Sequence, residues 1–132
     1  MIGKKHSIQR ETLLNILRGT KTHPTADWIY QEARKALPNI SLGTVYRNLA
    51  LLSESGHILK LNVGTGCDHF DGDTSPHYHF VCNQCGKIID LETPYHSYIN
   101  DLAQCDECGT VSGHSLFFHG SCRECLKATK DK

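Results

Sequence analysis

No stretch of this 132-residue chain approaches the roughly 18 to 20 consecutive apolar residues that a membrane-spanning helix requires. Nor does any run before His6 resemble a secretory leader. The first absence excludes a helical membrane protein. The second, with an odd count of seven cysteines, leads us to expect a reducing, cytoplasmic setting rather than a disulfide scaffold. Also missing are a glycine-rich loop for phosphate and a Ser/His/Asp arrangement, so neither a nucleotide enzyme nor a serine hydrolase is expected. Net charge is absent too, at a formal value of zero, which by itself would argue against a polyanionic partner.

That zero is a cancellation. Residues 1–60 hold nine Lys and Arg against four acids, and residues 61–132 hold five against ten. A basic front and an acidic back rich in His and Cys suggest a polyanion-binding domain joined to a cation-binding one.

What the chain does carry is thiol pairs. Cys82 and Cys85, and Cys122 and Cys125, form two C-x-x-C claws 36 residues apart. The two-residue spacer lets both sulfurs of a claw reach one metal about 2.3 Å away, so four thiolates suit a closed tetrahedral Zn²⁺ site. With no open coordination position, such a site is a structural bolt and not a hydrolase centre. Two disulfides, or four unrelated buried thiols, are the competing readings.

The front half reads as helical. Ile8, Leu13, Ile16 and Leu17 recur at near-helical spacing from Ser7, and Gly19 is placed to end that helix. A second helix is expected from an N-cap at Thr25, with Ile29, Ala33, Ala36 and Leu37 on one face and Pro38 as its stop. A third opens at Ser41, turns Val45, Leu49 and Leu52 inward and stops at Gly56. The short turn Pro38-Asn39-Ile40 makes the last two a helix-turn-helix candidate. Its second helix would present Ser41, Thr44, Tyr46, Arg47 and Asn48 to DNA, with hydroxyls for phosphates at the helix N-terminus and Arg47 for phosphate or guanine. A surface helix of an ordinary three-helix unit is the plainer alternative.

Residues 57–63 alternate apolar and polar, 64–66 are Gly-Thr-Gly, and 67–71 return, which predicts a β-hairpin in the position of a wing. The linker 72–76 sets expected domains of 1–74 and 75–132. In the second domain, strands are expected over 77–82, 87–92 and 115–119, with a helix over 94–104. On a strand His77 and His79 project to one side, and with Asp90 and Asp71 they offer a nitrogen and oxygen ligand set suited to Fe²⁺, Mn²⁺ or Zn²⁺. Two surface or capping histidines are the alternative for His-x-His alone.

Taken together these motifs resemble the Fur family of metal-dependent transcription repressors, most closely its peroxide-sensing branch. The resemblance is carried by S-I-Q-R (7–10), H-P-T-A (23–26), S-L-G-T-V-Y-R-N-L (41–49), F-D (70–71), H-Y-H-F-V-C-N-Q-C-G-K-I-I-D (77–90) and G-S-C-R-E-C (120–125). It implies an α+β fold: an N-terminal winged helix-turn-helix domain and a C-terminal α/β dimerisation domain with structural zinc. It further implies Zn²⁺ on Cys82, Cys85, Cys122 and Cys125, and a regulatory Fe²⁺ or Mn²⁺ on His23, Asp71, His77, His79 and Asp90. Partners implied are a second copy of the chain and a double-stranded DNA operator with an inverted repeat. His23 enters only through the resemblance, since its distance along the chain hides it from any spacing argument.

In the peroxide-sensing branch, peroxide reacts at bound Fe²⁺ and a ligand histidine is oxidised, here His23 or His77. Asp90, where iron-uptake regulators typically carry Glu, favours that branch. Three departures from the family pattern stand out. The N-terminus is short, so a leading helix used against DNA is expected to be truncated or missing. Pro76 and Tyr78 replace ligands of a further metal site, which leaves His114 structural. Cys105-Asp-Glu-Cys108 is an additional C-x-x-C pair, which could replace one zinc claw, bind a second metal with Cys67, act as a thiol redox pair or be two free thiols in a loop. An iron, zinc or manganese uptake regulator and a thiol-redox protein built on Cys105 and Cys108 are the competing functions.

Overall fold

The computed structural model describes residues 2–62, 67–103 and 105–130, with side chains from Ser7 to Ala128. The chain divides into two compact units, Met1–Ser75 and Pro76–Lys132.

The first unit is three helices and a two-stranded sheet. Helix α1 spans Ile2–Arg18, α2 Ala26–Ala36 and α3 Leu42–Glu54. Helix α1 starts five residues ahead of the expected Ser7. Its Leu13 and Leu17 are buried against Ala26, Ile29 and Ala33 of α2 and Val45, Leu49 and Leu52 of α3. Each fully buried aliphatic side chain contributes on the order of 1.5–3 kcal/mol, so this cluster rather than local propensity holds the helices together.

Both caps of α3 behave as the residues dictate. Ser41 Oγ accepts a hydrogen bond from the Thr44 backbone N–H at 3.1 Å, and Gly56 takes the left-handed conformation (φ 82°) just past the helix. Thr25 departs from expectation: it occupies the N-cap of α2, but its hydroxyl makes no capping bond. Its backbone instead pairs with His69 of the wing. The face expected toward DNA needs one correction. Tyr46 and Arg47 are exposed, whereas Asn48 is only 3% exposed and its side-chain amide donates to the Thr44 carbonyl at 2.9 Å. Position 48 falls between Val45, Leu49 and Leu52 on the helix surface, so it turns inward with them.

Strands β1 (Leu59–Leu61) and β2 (His69–Asp71) pair antiparallel, Leu59 opposite Asp71 and Leu61 opposite His69. Residues 63–66 between them, where the Gly-Thr-Gly turn is expected, lie outside the described residues. Ile58 and Phe70 carry the hairpin's apolar face into the helical core.

The second unit is built on a sheet of order β4-β3-β5, with β3 His79–Cys82, β4 Ile88–Asp90 and β5 Phe117–Gly120. Strands β3 and β4 are antiparallel, and β3 and β5 parallel. All three are shorter than expected, and His77 precedes β3 instead of lying on it. The helix expected over 94–104 shrinks to one turn, α4 (Ile99–Leu102), whose lead-in bonds run from residue i+3 to i. The run Pro94-Tyr95-His96-Ser97-Tyr98 has poor helix propensity, and Tyr95 and Asn100 are both engaged on His114. Helix α5 (Arg123–Lys130) begins one residue after Cys122. No described helix is long and apolar enough to cross a membrane.

Gly72 closes the first unit against α1. A Cβ there would stand 2.9 Å from the Leu17 carbonyl carbon and 3.0 Å from the Arg18 nitrogen, both backbone atoms that cannot yield. Gly72→Ala is therefore expected to lower stability by about 1–3 kcal/mol. Gly43→Ala, whose Cβ meets nothing within 4 Å, should raise it by up to about 1 kcal/mol through the lower entropy of the unfolded chain. Urea unfolding of both variants, with the slope unchanged, measures the difference.

Candidate metal centres and nucleic-acid interface

Four sulfurs converge in the second unit. The β3–β4 turn places Cys82 and Cys85 on one side, with Gly86 at φ 77° and its N–H donating to the Cys82 carbonyl at 2.9 Å. Parallel pairing of β3 with β5, extended by Asn83 N–H to the Gly120 carbonyl at 2.7 Å, brings Cys122 alongside. The first turn of α5 adds Cys125. Sγ separations are 3.7 Å for Cys82–Cys125 and 3.8 Å for Cys85–Cys122. A tetrahedral Zn²⁺ with bonds near 2.3 Å has sulfur–sulfur edges of about 3.8 Å, so the cluster has the dimensions of a closed thiolate zinc site.

The protons of this cluster are unevenly held. Backbone N–H groups of Cys85 (3.5 Å) and Cys122 (3.3 Å) donate to Cys82 Sγ and bring that thiol down to about 6. Hydrogen bonding with Cys122 and Cys82 pushes Cys125 up to about 12. A stabilised negative charge thus sits on Cys82, and a divalent cation must displace the protons of Cys85 and Cys125.

The mixed nitrogen and oxygen donors appear as two sets, one in each unit. In the first unit, strand β2 grips the segment before α2. Phe70 N–H donates to the Pro24 carbonyl at 2.9 Å, and His69 Nδ1 lies 2.8 Å from the His23 carbonyl oxygen. The grip holds His23 at φ 54°, a left-handed conformation for a non-glycine residue, which costs of order 1–3 kcal/mol. It also sets His23 Nε2 3.2 Å from Asp71 Oδ2. His23 is 2% and Asp71 7% exposed. The other carboxylate oxygen, Asp71 Oδ1, accepts from Asp73 N–H at 2.9 Å and orients the group.

In the second unit the β3–β4 register puts His79 directly opposite Asp90. Asp90 Oδ1 receives His77 Nε2 at 3.2 Å and His79 Nε2 at 3.5 Å. His77 reaches this point from outside the strand, its ring 4.4 Å from that of His79, while His79 stacks on Phe117. Two imidazoles and a carboxylate aimed at one point form an intermediate donor set that suits Fe²⁺ or Mn²⁺ better than thiolate-seeking metals.

His114 belongs to neither set. Tyr78 Oη lies 2.8 Å from its Nε2, while Asn100 Oδ1 at 2.6 Å and Tyr95 Oη at 3.1 Å flank Nδ1. Tyr78 is buried and its hydroxyl also accepts from His96 N–H at 3.0 Å. These bonds anchor His114 within the second unit. Cys105 and Cys108 likewise stand apart from the four-sulfur cluster.

A model of the ferric uptake regulator family matches residues 1–119. The chain belongs to the Fur family. Among curated members, the peroxide-responsive repressor PerR of Staphylococcus aureus is 40% identical over 123 residues, 93% of this chain and 83% of that protein. The Campylobacter jejuni peroxide stress regulator is 33% identical, with a TM-score of 0.74 over 92% of this chain and 91% of that one. The Helicobacter pylori ferric uptake regulator, which has three functional metal binding sites, gives a TM-score of 0.76 at 25% identity over 89% and 79%. As a Fur-family member the chain is a metal-dependent regulator with a winged-helix unit and a zinc-type cysteine cluster.

Sequence spacing found all four thiols and the His-x-His pair. It did not find the His69 bond to the His23 carbonyl, because a contact between a loop and a strand edge 46 residues later leaves no periodic signature.

Cys82→Ser and Cys122→Ser are expected to release zinc that Cys105→Ser retains, with loss of folded structure, since a structural zinc site supplies on the order of 10 kcal/mol of folding free energy. Zinc content by mass spectrometry or emission spectroscopy checks this. Zinc uptake at neutral pH should release the Cys125 proton. Below about pH 6, where the metal-free Cys82 thiolate is itself protonated, an additional proton should be released per zinc and affinity should fall. Calorimetric titration in buffers of different ionisation enthalpy reads both.

Proposed function

We propose that the chain is a cytoplasmic, homodimeric repressor that binds an inverted-repeat operator when metal-loaded and releases it when peroxide oxidises a ligand histidine. The observation that carries this reading is the pairing of two prepared half-sets: His23 and Asp71 held rigidly in the winged-helix unit, and His77, His79 and Asp90 converging in the other. Neither half alone offers more than three donors. Together they make a set of three imidazoles and two carboxylates, which one Fe²⁺ or Mn²⁺ would take.

Because the donors come from both units, occupancy would restrict how the winged-helix unit sits relative to the other, and so select the spacing at which two copies reach two half-sites. Exposed Leu102, Phe118 and Leu126 in the second unit support self-association. Ser41, Thr44, Tyr46 and Arg47 at the start of α3 are the DNA-facing residues in this reading. Asn48, from its buried position, would act by holding that turn of helix through Thr44.

His23, Asp71, His77, His79 and Asp90 would hold the ion, and Fe²⁺ there would supply electrons for reducing peroxide, which Mn²⁺ would supply poorly. The protein's part is to keep His23 and His77 within reach and to lose the joint when either ring takes up oxygen. Loss of His23 would remove the imidazole that the winged-helix unit brings to the set.

Arg47→Ala and Tyr46→Ala should each weaken operator binding at fixed salt, Arg47→Ala by roughly 1–3 kcal/mol, with metal content unchanged. Peptide mass spectrometry after Fe²⁺ and peroxide should find one added oxygen on His23 or His77, in step with DNA release and nearly absent with Mn²⁺. Release that follows metal concentration alone, with both rings intact, would make the chain an iron, zinc or manganese uptake regulator instead.

A further inference from the structure

Cys105 and Cys108 are left over from every role above, and their local geometry is specific. Both thiols are exposed. The Cys108 N–H donates to the Cys105 carbonyl at 3.0 Å, which closes a four-residue turn over Asp106 and Glu107, and Gly109 follows at φ 69°. Such a turn holds its first and last Cα atoms within about 7 Å, inside the range a disulfide spans. The turn therefore holds the two cysteines at the ends of one short exposed loop, within reach of each other.

The two sulfurs are not equivalent. The Cys108 thiol and the backbone N–H groups of Glu107 and Cys108 favour a negative charge on Cys105 Sγ. These donors lower the Cys105 thiol from its usual range, while the Cys108 thiol, as the donor of the pair, is raised. Cys105 is therefore the nucleophile and Cys108 holds the proton needed afterwards. The carboxylates of Asp106 and Glu107 lie in the same exposed turn and repel anionic oxidants such as glutathione disulfide, which leaves small neutral hydroperoxides favoured.

From this geometry we propose that Cys105–Cys108 is a second, iron-independent oxidation site, at which a hydroperoxide converts the pair to a reversible disulfide. The Cys105 thiolate attacks the peroxide oxygen. The O–O bond breaks, an S–O bond forms, and hydroxide leaves and takes a proton from solvent. Cys108 sulfur then attacks Cys105 sulfur. The S–O bond breaks, the S–S bond forms, and the hydroxyl group departs as water with the Cys108 proton. Two thiols are oxidised by two electrons, and one hydroperoxide is reduced. The site needs none of the His and Asp donors of the proposed regulatory centre, so it stands or falls independently of it. Unlike an oxidised imidazole, it is restored by a thiol reductant.

The test uses the full chain with its zinc in place and iron removed by chelation, exposed to graded hydrogen peroxide. Free thiols are then alkylated and the peptides mapped by mass. The expected result is joint loss of alkylation at Cys105 and Cys108, recovery of both by dithiothreitol, and unchanged zinc content. In Cys108→Ser the reaction should stop at a Cys105 sulfenic acid that dimedone traps. In Cys105→Ser, Cys108 should remain alkylatable. The proposal is overturned if both thiols stay reduced at peroxide concentrations that oxidise free cysteine, if dimedone labels Cys108 first, or if Cys105 pairs with another cysteine.

Discussion

Four sulfurs at tetrahedral spacing are the constraint on which the second unit depends. Among its described residues the buried apolar side chains are Tyr78, Val81, Cys82, Ile88 and Cys122, two of which belong to the cluster itself. A core of that size cannot by itself offset the entropy of ordering more than fifty residues, and a bound metal supplies what it lacks. The thiolates tie the β3–β4 turn to the end of β5 and the start of α5, the three places where that sheet would otherwise open. The register of β3 against β4 follows, and that register brings Asp90 opposite His79. A structural site thus positions the proposed regulatory half-set a few residues away.

The winged-helix unit prepares its own half differently, by strand capture. Strand β2 supplies Asp71 and, through Phe70 and His69, grips the backbone of 23–24. His23 is left in a conformation that a free loop would abandon. Such strain persists only where neighbours over-determine it, and its location at a buried His–Asp pair is consistent with a preorganised ligand. A regulator gains from this arrangement because donors already in place lose little entropy on binding metal. In the proposed regulator the free energy of binding would then be available for restricting the two units.

Much of this was legible in the residues. The C-x-x-C claws have one dominant chemical meaning at their spacing, and both caps of α3 could be read from Ser41 and Gly56. The features that escaped share a cause, which is that tertiary contacts overrode local pattern. Asn48 looked polar and therefore exposed, but its place beside Val45, Leu49 and Leu52 turns it inward. Residues 94–104 looked like a helix until Tyr95 and Asn100 were claimed by His114. Thr25 looked like a capping hydroxyl, yet its backbone is engaged by β2. His77 acts from outside the strand that spacing assigned to it. His23 was reachable only through family resemblance, because loop conformation is not encoded in periodicity.

The central claim is that one metal ion takes donors from both units. Pulsed electron paramagnetic resonance of the Mn²⁺-loaded full chain counts the imidazole nitrogens coupled to the ion. The account predicts three, from His23, His77 and His79, falling to two in His23→Ala. A count of two in the unaltered chain that His23→Ala leaves unchanged would confine the metal to the second unit and contradict the account.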